Sequence, residues 1–462
     1  MNTIGRRHWP EWIIVRLAGR KNVEVKKNEG NYYLYEYVHE WNKRKKISIK
    51  TSKYVGVIKQ SSNKRVVEHG HVGLVYSIVE KSILPKLKEQ FPEDWMQLIA
   101  FALNRVIEPH PLKRMGAWIE KTSIEKIVGA QPASAKSFSA MLARIGENES
   151  GQLAFMRSLI EKDEALLFDG SIIFSDSKYN RLLEVGHDKR GLFLPKANIA
   201  LLFSHTRKLP LFFRLYFGSI HDVRTLSSTI SEVKNRNAIF IADKGYYKND
   251  GFQELHANHI KFIIPLPRDD GRINYETKFN DFFEFHKRIV HCARYAFKKF
   301  FVYRYEDEFL KFEERTEYFR LKNKGHSVKF NEGWAGSISL LSNIKMDPKK
   351  VYLMWKTRDQ IEKAFHVFQN TLETDTPYVS GEGVFRGYIF GSYLALYLYY
   401  RLLNLLQAKG VNDSVSVKDL VYELSKVMVY EDTGTPLEYP KKVGELIKTL
   451  DIQDMVTKKR KR

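Results

Sequence analysis

The stretch FIADKGYYKND, Phe240 to Asp250, decides how the chain is read. It completes the apolar run Ala238-Ile239-Phe240-Ile241-Ala242 and then breaks into Asp243, Lys244, Gly245 and the pair Tyr246-Tyr247. A short β-branched run ending in a turn predicts a buried strand, so Asp243 stands where a strand meets a loop. Asp169 in ALLFDGS has a matching context, with an apolar run before it and a small residue after it. Adjacent strands would bring the two carboxylates together as paired oxygen ligands for a hard cation. Taken singly, each also reads as a turn Asp or a helix cap.

Working outward, Glu164 to Asp176, ANIALLFSH, LPLFFRLYFG, AIFIAD and IKFIIPL are strand-like runs. A helix candidate, DVRTLSSTISEVKNR, lies between the third and fourth. Close strands followed by strand–helix alternation predict a mixed α/β sheet flanked by helices, with its first part at 161–266. Residues 267–345, rich in charge and aromatics and ending in SISLLSN, read as a β-rich insertion. A helical second part of the core follows at 346–410, then a C-terminal helical region, 411–462, that ends in the basic tail KKRKR.

On the N-terminal side, NYYLYEYVHEW alternates in strand fashion and faces ISIKTSKYVGVI across the turn NKRKK, predicting a basic β-meander within 1–75. The turn is either a solvated loop or a DNA-facing one. Between 76 and 160 the pattern turns helical, with start signals at Asp94, at Thr122-x-x-Glu125 and at Ser134. These short helices read either as a DNA-recognition unit or as an ordinary bundle.

The chain has 462 residues, 43% of them hydrophobic, ample for a core and too long for one compact unit. Lys and Arg total 76 against 54 Asp and Glu, a formal net charge of +22. Such an excess favours a polyanion, and nucleic acid is the expected partner. One cysteine, Cys292, excludes a disulfide framework and a Cys-rich zinc site and fits a reducing, cytoplasmic setting. No signal peptide is expected at the N-terminus. In GYIFGSYLALYLYYRLLNLL only the fourteen residues 387 to 400 separate Arg386 from Arg401, short of the roughly 20 a span needs. That segment reads as a buried helix, and no membrane partner is expected.

The third acidic piece is VYLMWKTRDQIEKAFHVFQN, where Trp355, Arg358 and Glu362 fall at i, i+3 and i+7 of a helix, with Phe365 and Gln369 continuing the face. Arg358 reads either as a phosphate contact or as a surface partner of Glu362. Asp222 reads as an N-cap, and Asp176 as a backup for Asp169 on the opposite strand face.

With FDGS at Asp169, GHDKR at Gly186 to Arg190, FGSIHDVRTL at Asp222, ADKGYY at Asp243 and WxxRxxxE at Trp355 to Glu362, the chain resembles the DDE transposases of bacterial insertion sequences. It looks like the insertion-sequence-four superfamily, whose branch signature is Tyr, two residues, Arg, three residues, Glu, six residues, Lys. Arg358 and Glu362 match that signature, whereas Trp355 replaces the Tyr and Gln369 the Lys.

The resemblance implies a ribonuclease-H-like catalytic core in which Asp169, Asp243 and Glu362 hold divalent metal, two Mg2+ or Mn2+ ions roughly 3.5–4 Å apart. Arg358, Trp355 and Gln369 would grip DNA. The implied activity is metal-dependent cleavage and strand transfer at the ends of an insertion sequence, by a cut-and-paste route. Double-stranded DNA is then the partner, a homodimer the synaptic form, and the bacterial nucleoid the location. Two alternatives are an inactive transposase-derived DNA-binding regulator and a ribonuclease-H-like nuclease without strand transfer.

Overall fold

The computed structural model describes the chain except residues 1, 11–12, 15–16, 18–19, 21, 29–30, 43–45, 59–64, 163, 176, 178, 188–192, 219–228, 230–232, 234–238, 242–250, 375–376, 378 and 458–462; at 2, 186–187, 193–194 and 251 it describes the backbone alone. Two compact units divide the chain: residues 1–66 with 430–432, and residues 67–429 with 433–462.

The first unit is an antiparallel sheet in the order β1 (Asn2–Ile4), β2 (Val23–Asn28), β3 (Asn31–Asn42) and β4 (Ile47–Ile58). Alternation sets its two faces. Val25 and Leu34 turn inward onto Trp9, Ile13 and Leu17, forming a small core of their own.

A short strand β5 (Val66–Glu68) begins at the last residue of the first unit's main segment, and seven helices of the second unit follow: α1 (Gly70–Ser82), α2 (Leu84–Gln90), α3 (Trp95–Ile107), α4 (Met115–Lys121), α5 (Ile124–Val128), α6 (Ala135–Glu147) and α7 (Glu149–Leu159). Ser134 caps α6 as its sequence predicts, its hydroxyl accepting from Ser137 N at 3.2 Å. The other two start signals behave differently. Asp94 stands at the N-cap of α3 but makes no cap bond, because its carboxylate takes the Arg144 guanidinium. The Thr122 hydroxyl donates back to Ile119 O at 3.2 Å, and Ser123 becomes the N-cap of α5. A hydroxyl beside a helix end serves the helix before it as readily as the one after it.

The main sheet contains β6 (Ala165–Phe174), β7 (Glu184–His187), β8 (Phe193–Ser204), β9 (Pro210–Phe217), β10 (Ile239–Ile241) and β11 (Lys261–Pro265), with helix α8 (Gly251–Ala257) before β11. β6, β8 and β9 run antiparallel in succession, while β10 is parallel to β6 and β11 parallel to β10. The order β9-β8-β6-β10-β11 is the mixed sheet of a ribonuclease-H-like core. The β-rich insertion follows as β12 (Asp281–Phe285), β13 (Arg288–Phe297), β14 (Phe300–Asp307), helix α9 (Glu308–Asn323) and β15 (Ser337–Ser342). It extends the same sheet, with β15 antiparallel to β11 and β14, β13 and β12 beyond it. Cys292 is buried on β13, and burial pushes its thiol up to about 11, so it is packed and unreactive at neutral pH.

Helices α10 (Pro348–Lys356), α11 (Asp359–His366) and the 27-residue α12 (Glu382–Ala408) complete the core. Phe385, Ile389, Phe390 and Tyr393 of α12 are buried, and no helix among the described residues is long and apolar enough to cross a membrane. α12 packs on α6. Glycines allow that approach: a Cβ on Gly387 would overlap the Leu142 carbonyl, and one on Gly146 the Gly383 carbonyl. Backbone cannot step aside as a side-chain tip can. Gly387→Ala is therefore expected to cost about 1–3 kcal/mol by overpacking. Thermal melting beside Gly271→Ala, whose Cβ would meet nothing within 4 Å, checks this; equal melting points would show that the crossing is slack.

Candidate active site

Asp169 lies in the middle of the ten-residue strand β6, not at a strand end. Gly170 and Ser171 continue the ladder against Ala200 and Ile199, because Ile172, Ile173 and Phe174 resume the apolar run beyond them. The Asp169 side chain is half-buried, and its Oδ1 accepts from Gly170 N at 2.9 Å. On the other side β10 pairs with β6 up to Ile241 opposite Leu167. Asp243 lies outside the described residues, as do Asp222 and Asp176.

The single helical face expected from Trp355 to Gln369 is interrupted twice. α10 ends at Lys356 and α11 begins at Asp359, with Arg358 at its N-cap. At the joint Arg358 N reaches Trp355 O at 3.1 Å, an i to i−3 bond, and the Thr357 hydroxyl donates to Met354 O at 2.7 Å. Both tighten the turn. Past His366, residues Val367–Thr371 form a π turn, in which Leu372 N bonds Val367 O and Thr374 N bonds Gln369 O, each at 3.0 Å. Neither break has Pro or Gly, so periodicity alone could not locate them.

The consequence for Gln369 is direct. Its amide donates to the Ser171 hydroxyl at 3.1 Å and to Ile172 O at 2.9 Å, so it is spent on β6 two and three residues beyond Asp169. α11 lies against the same strand through its buried Ile361, Ala364 and Phe365 face. Glu362, in the first turn of α11, has a side chain 54% exposed and paired with Arg358 Nη2 at 3.1 Å. This pair is the alternative reading of Arg358 given above, and at such exposure it adds little stability.

Trp355 is half-buried, and its indole nitrogen has no hydrogen-bond partner among the described residues. With His205, Phe285, His286, Lys356, Arg358 and Glu362 it lines a pocket of about 750 Å3. Burial pushes the Lys356 ammonium below its ordinary value. The described carboxylates, Asp169 and Glu362, offer only oxygen donors, a set that fits a hard divalent cation and not a soft one. No cluster of three or more His, Cys, Asp or Glu suited to a metal occurs among the described residues.

His205 escaped the sequence reading. Its Nδ1 lies 2.7 Å from Thr357 Oγ1, tying the end of β8 to the joint between α10 and α11. Because the Thr357 hydrogen goes to Met354 O, His205 is the donor, through Nδ1–H. No local signal marks a contact between residues 152 positions apart.

The transposase DDE domain family matches residues 162–398, more than half of the chain, and the chain belongs to that family. Membership places it among the enzymes that cleave and transfer DNA strands. Among solved structures the chain is similar to piggyBac transposase in a synaptic complex with hairpin DNA, at 9% identity over 78% of this chain and 80% of that one, with a TM-score of 0.41. No curated protein matches it.

A pH dependence follows from His205. Burial, then the charges of Lys208 and Lys350, push its imidazole below the ordinary histidine value. A depressed folded-state pKa contributes stability that is present above the unfolded value of about 6.5 and lost as pH falls through the folded value. Between pH 7 and pH 5 the wild type should therefore lose more thermal stability than His205→Gln. Parallel melting-point losses in the two proteins would dissociate His205 from the acid sensitivity.

Proposed function

We propose that the chain is a transposase of the insertion-sequence-four superfamily, in its YREK-signature branch, and that it binds the ends of its element, cleaves there and transfers the strands by cut and paste. Asp169, Asp243 and Glu362 serve as the catalytic carboxylates. The observation that carries this reading is the clamp of Gln369 on Ser171 and Ile172, which registers the helix bearing Glu362 against the strand bearing Asp169. Such registration is what two ligands from distant chain segments require.

The three carboxylates would hold two Mg2+ or Mn2+ ions, which activate the attacking oxygen and stabilise the leaving one. Arg358, paired with Glu362 in this structure, would turn its guanidinium to a DNA phosphate. Trp355 and Lys356 offer an aromatic face and a cation in the adjoining pocket. Gln369 contributes to DNA binding through the position of the turn, since its amide is occupied by β6. The net charge of +22 suits double-stranded DNA at both ends and target. A homodimer across paired ends and a cytoplasmic, nucleoid-associated setting complete the reading.

The test replaces Asp169, Asp243 and Glu362 singly with Ala. Each variant should lose Mn2+-dependent cleavage of a terminal-repeat duplex, by at least two orders of magnitude, while keeping its metal-free melting point, because like charges repel in an empty carboxylate site. Cleavage retained by any of the three removes that residue from the set. Loss in Asp176→Ala with activity kept in Asp169→Ala moves the first ligand to Asp176. A wild-type chain that cuts but never joins strands favours the nuclease, and one that binds without cutting favours the regulator.

A further inference from the structure

The strand β3 outruns its neighbour. β2 pairs with it from Val23 opposite Glu36 to Asn28 opposite Asn31, and among the described residues the last bond on that side joins Tyr37 N to Asn22 O at 2.9 Å. From Val38 opposite Thr51 to Asn42 opposite Ile47, β3 and β4 continue, among the described residues, as a ribbon of two strands. Five rungs at about 3.4 Å per residue give a projection of roughly 17 Å. Among the described residues both faces carry exposed apolar side chains, Trp41 63% exposed on one side and Val38 61% on the other. A bare two-stranded ribbon is marginal in water, so so much exposed apolar surface on one indicates contact with a partner.

Charge indicates which partner. From Tyr37 through Lys53 the sequence holds six Lys and Arg against one Glu. That sign repels a second copy and attracts a polyanion. Width narrows the choice further, since the major groove of duplex DNA, about 12 Å wide, admits two strands but not a four-stranded sheet. One face of the projection gathers His39 and Trp41 from β3 with Ser48 and Lys50 from β4, with His39 Nδ1 and Ser48 Oγ 3.3 Å apart. Lys50 is set in place by Glu24 and by the Tyr37 ring, its Nζ 4.2 Å from the ring centroid. These groups supply hydrogen-bond donors for guanine and adenine acceptors and an indole for a thymine methyl.

We propose that this ribbon enters the major groove and reads base edges with its His39, Trp41, Ser48 and Lys50 face, while Lys46 meets a phosphate. The inference rests on the DNA-binding reading above and adds to it the element and groove that give sequence preference.

Duplexes selected from a random-sequence pool by the intact chain are the probe, with a scrambled duplex of equal length beside them. The double variant His39→Ala/Trp41→Ala should lose preference for the selected duplex by on the order of tenfold to a hundredfold, with its binding to the scrambled duplex kept. Lys46→Ala should weaken both equally and lower the salt slope by about one. Both should melt as the wild type does, since the residues are solvated. Preference kept in the double variant overturns the ribbon alone and leaves DNA binding standing. An intact chain that binds no duplex overturns both readings. Tighter binding to a single strand, lost in Trp41→Ala, or a dimer that Trp41→Ala dissociates without DNA, gives the surface to base stacking or to self-association instead and overturns the proposal.

Discussion

The side-chain amide of Gln369 holds the candidate site in register. Its two bonds to Ser171 and Ile172 tie a π turn to the strand that carries Asp169, and the helix directly before that turn carries Glu362. A half-buried amide left without acceptors costs about 1–3 kcal/mol, so the turn has a strong preference for this one seating. Apolar packing of Ile361, Ala364 and Phe365 brings α11 onto the sheet, but such packing tolerates sliding. Directional bonds remove that freedom. At the other end of α11, His205 performs a similar office by holding Thr357 at the joint.

The sequence made the strands of the core legible because buried strands declare themselves as short apolar runs, and β6, β8, β9, β10 and β11 all do so. The meander was legible for the complementary reason, its alternation of Tyr33, Tyr35 and Tyr37 with Leu34, Glu36 and Val38. What escaped notice depends on contacts distant in sequence. The break at Thr357 and the π turn at Gln369 are made by hydrogen bonds to Met354, His205, Ser171 and Ile172. The single helical face expected from Trp355 to Gln369 is therefore divided at two joints. The run from Glu164 to Asp176 was legible as strand-like, and the β8 ladder carries β6 through Asp169 to Phe174, so the carboxylate lies within the strand and not at its end.

The extension of the sheet by β12 to β15 bears on timing as well as form. Ile263 of β11 pairs with Ser342 of β15, so about eighty residues must be laid down and folded back before the core sheet gains that neighbour. Only then does the chain reach α10 and α11. Synthesis proceeds from the N-terminus, and long-range pairing is slow. The strand bearing Asp169 is thus complete well before Glu362 is made, and the insertion hairpin stands between them in time. The helix bearing Glu362 is consequently made only after the whole insertion, and a nascent or truncated chain ending in the insertion would have strands of the core without that helix.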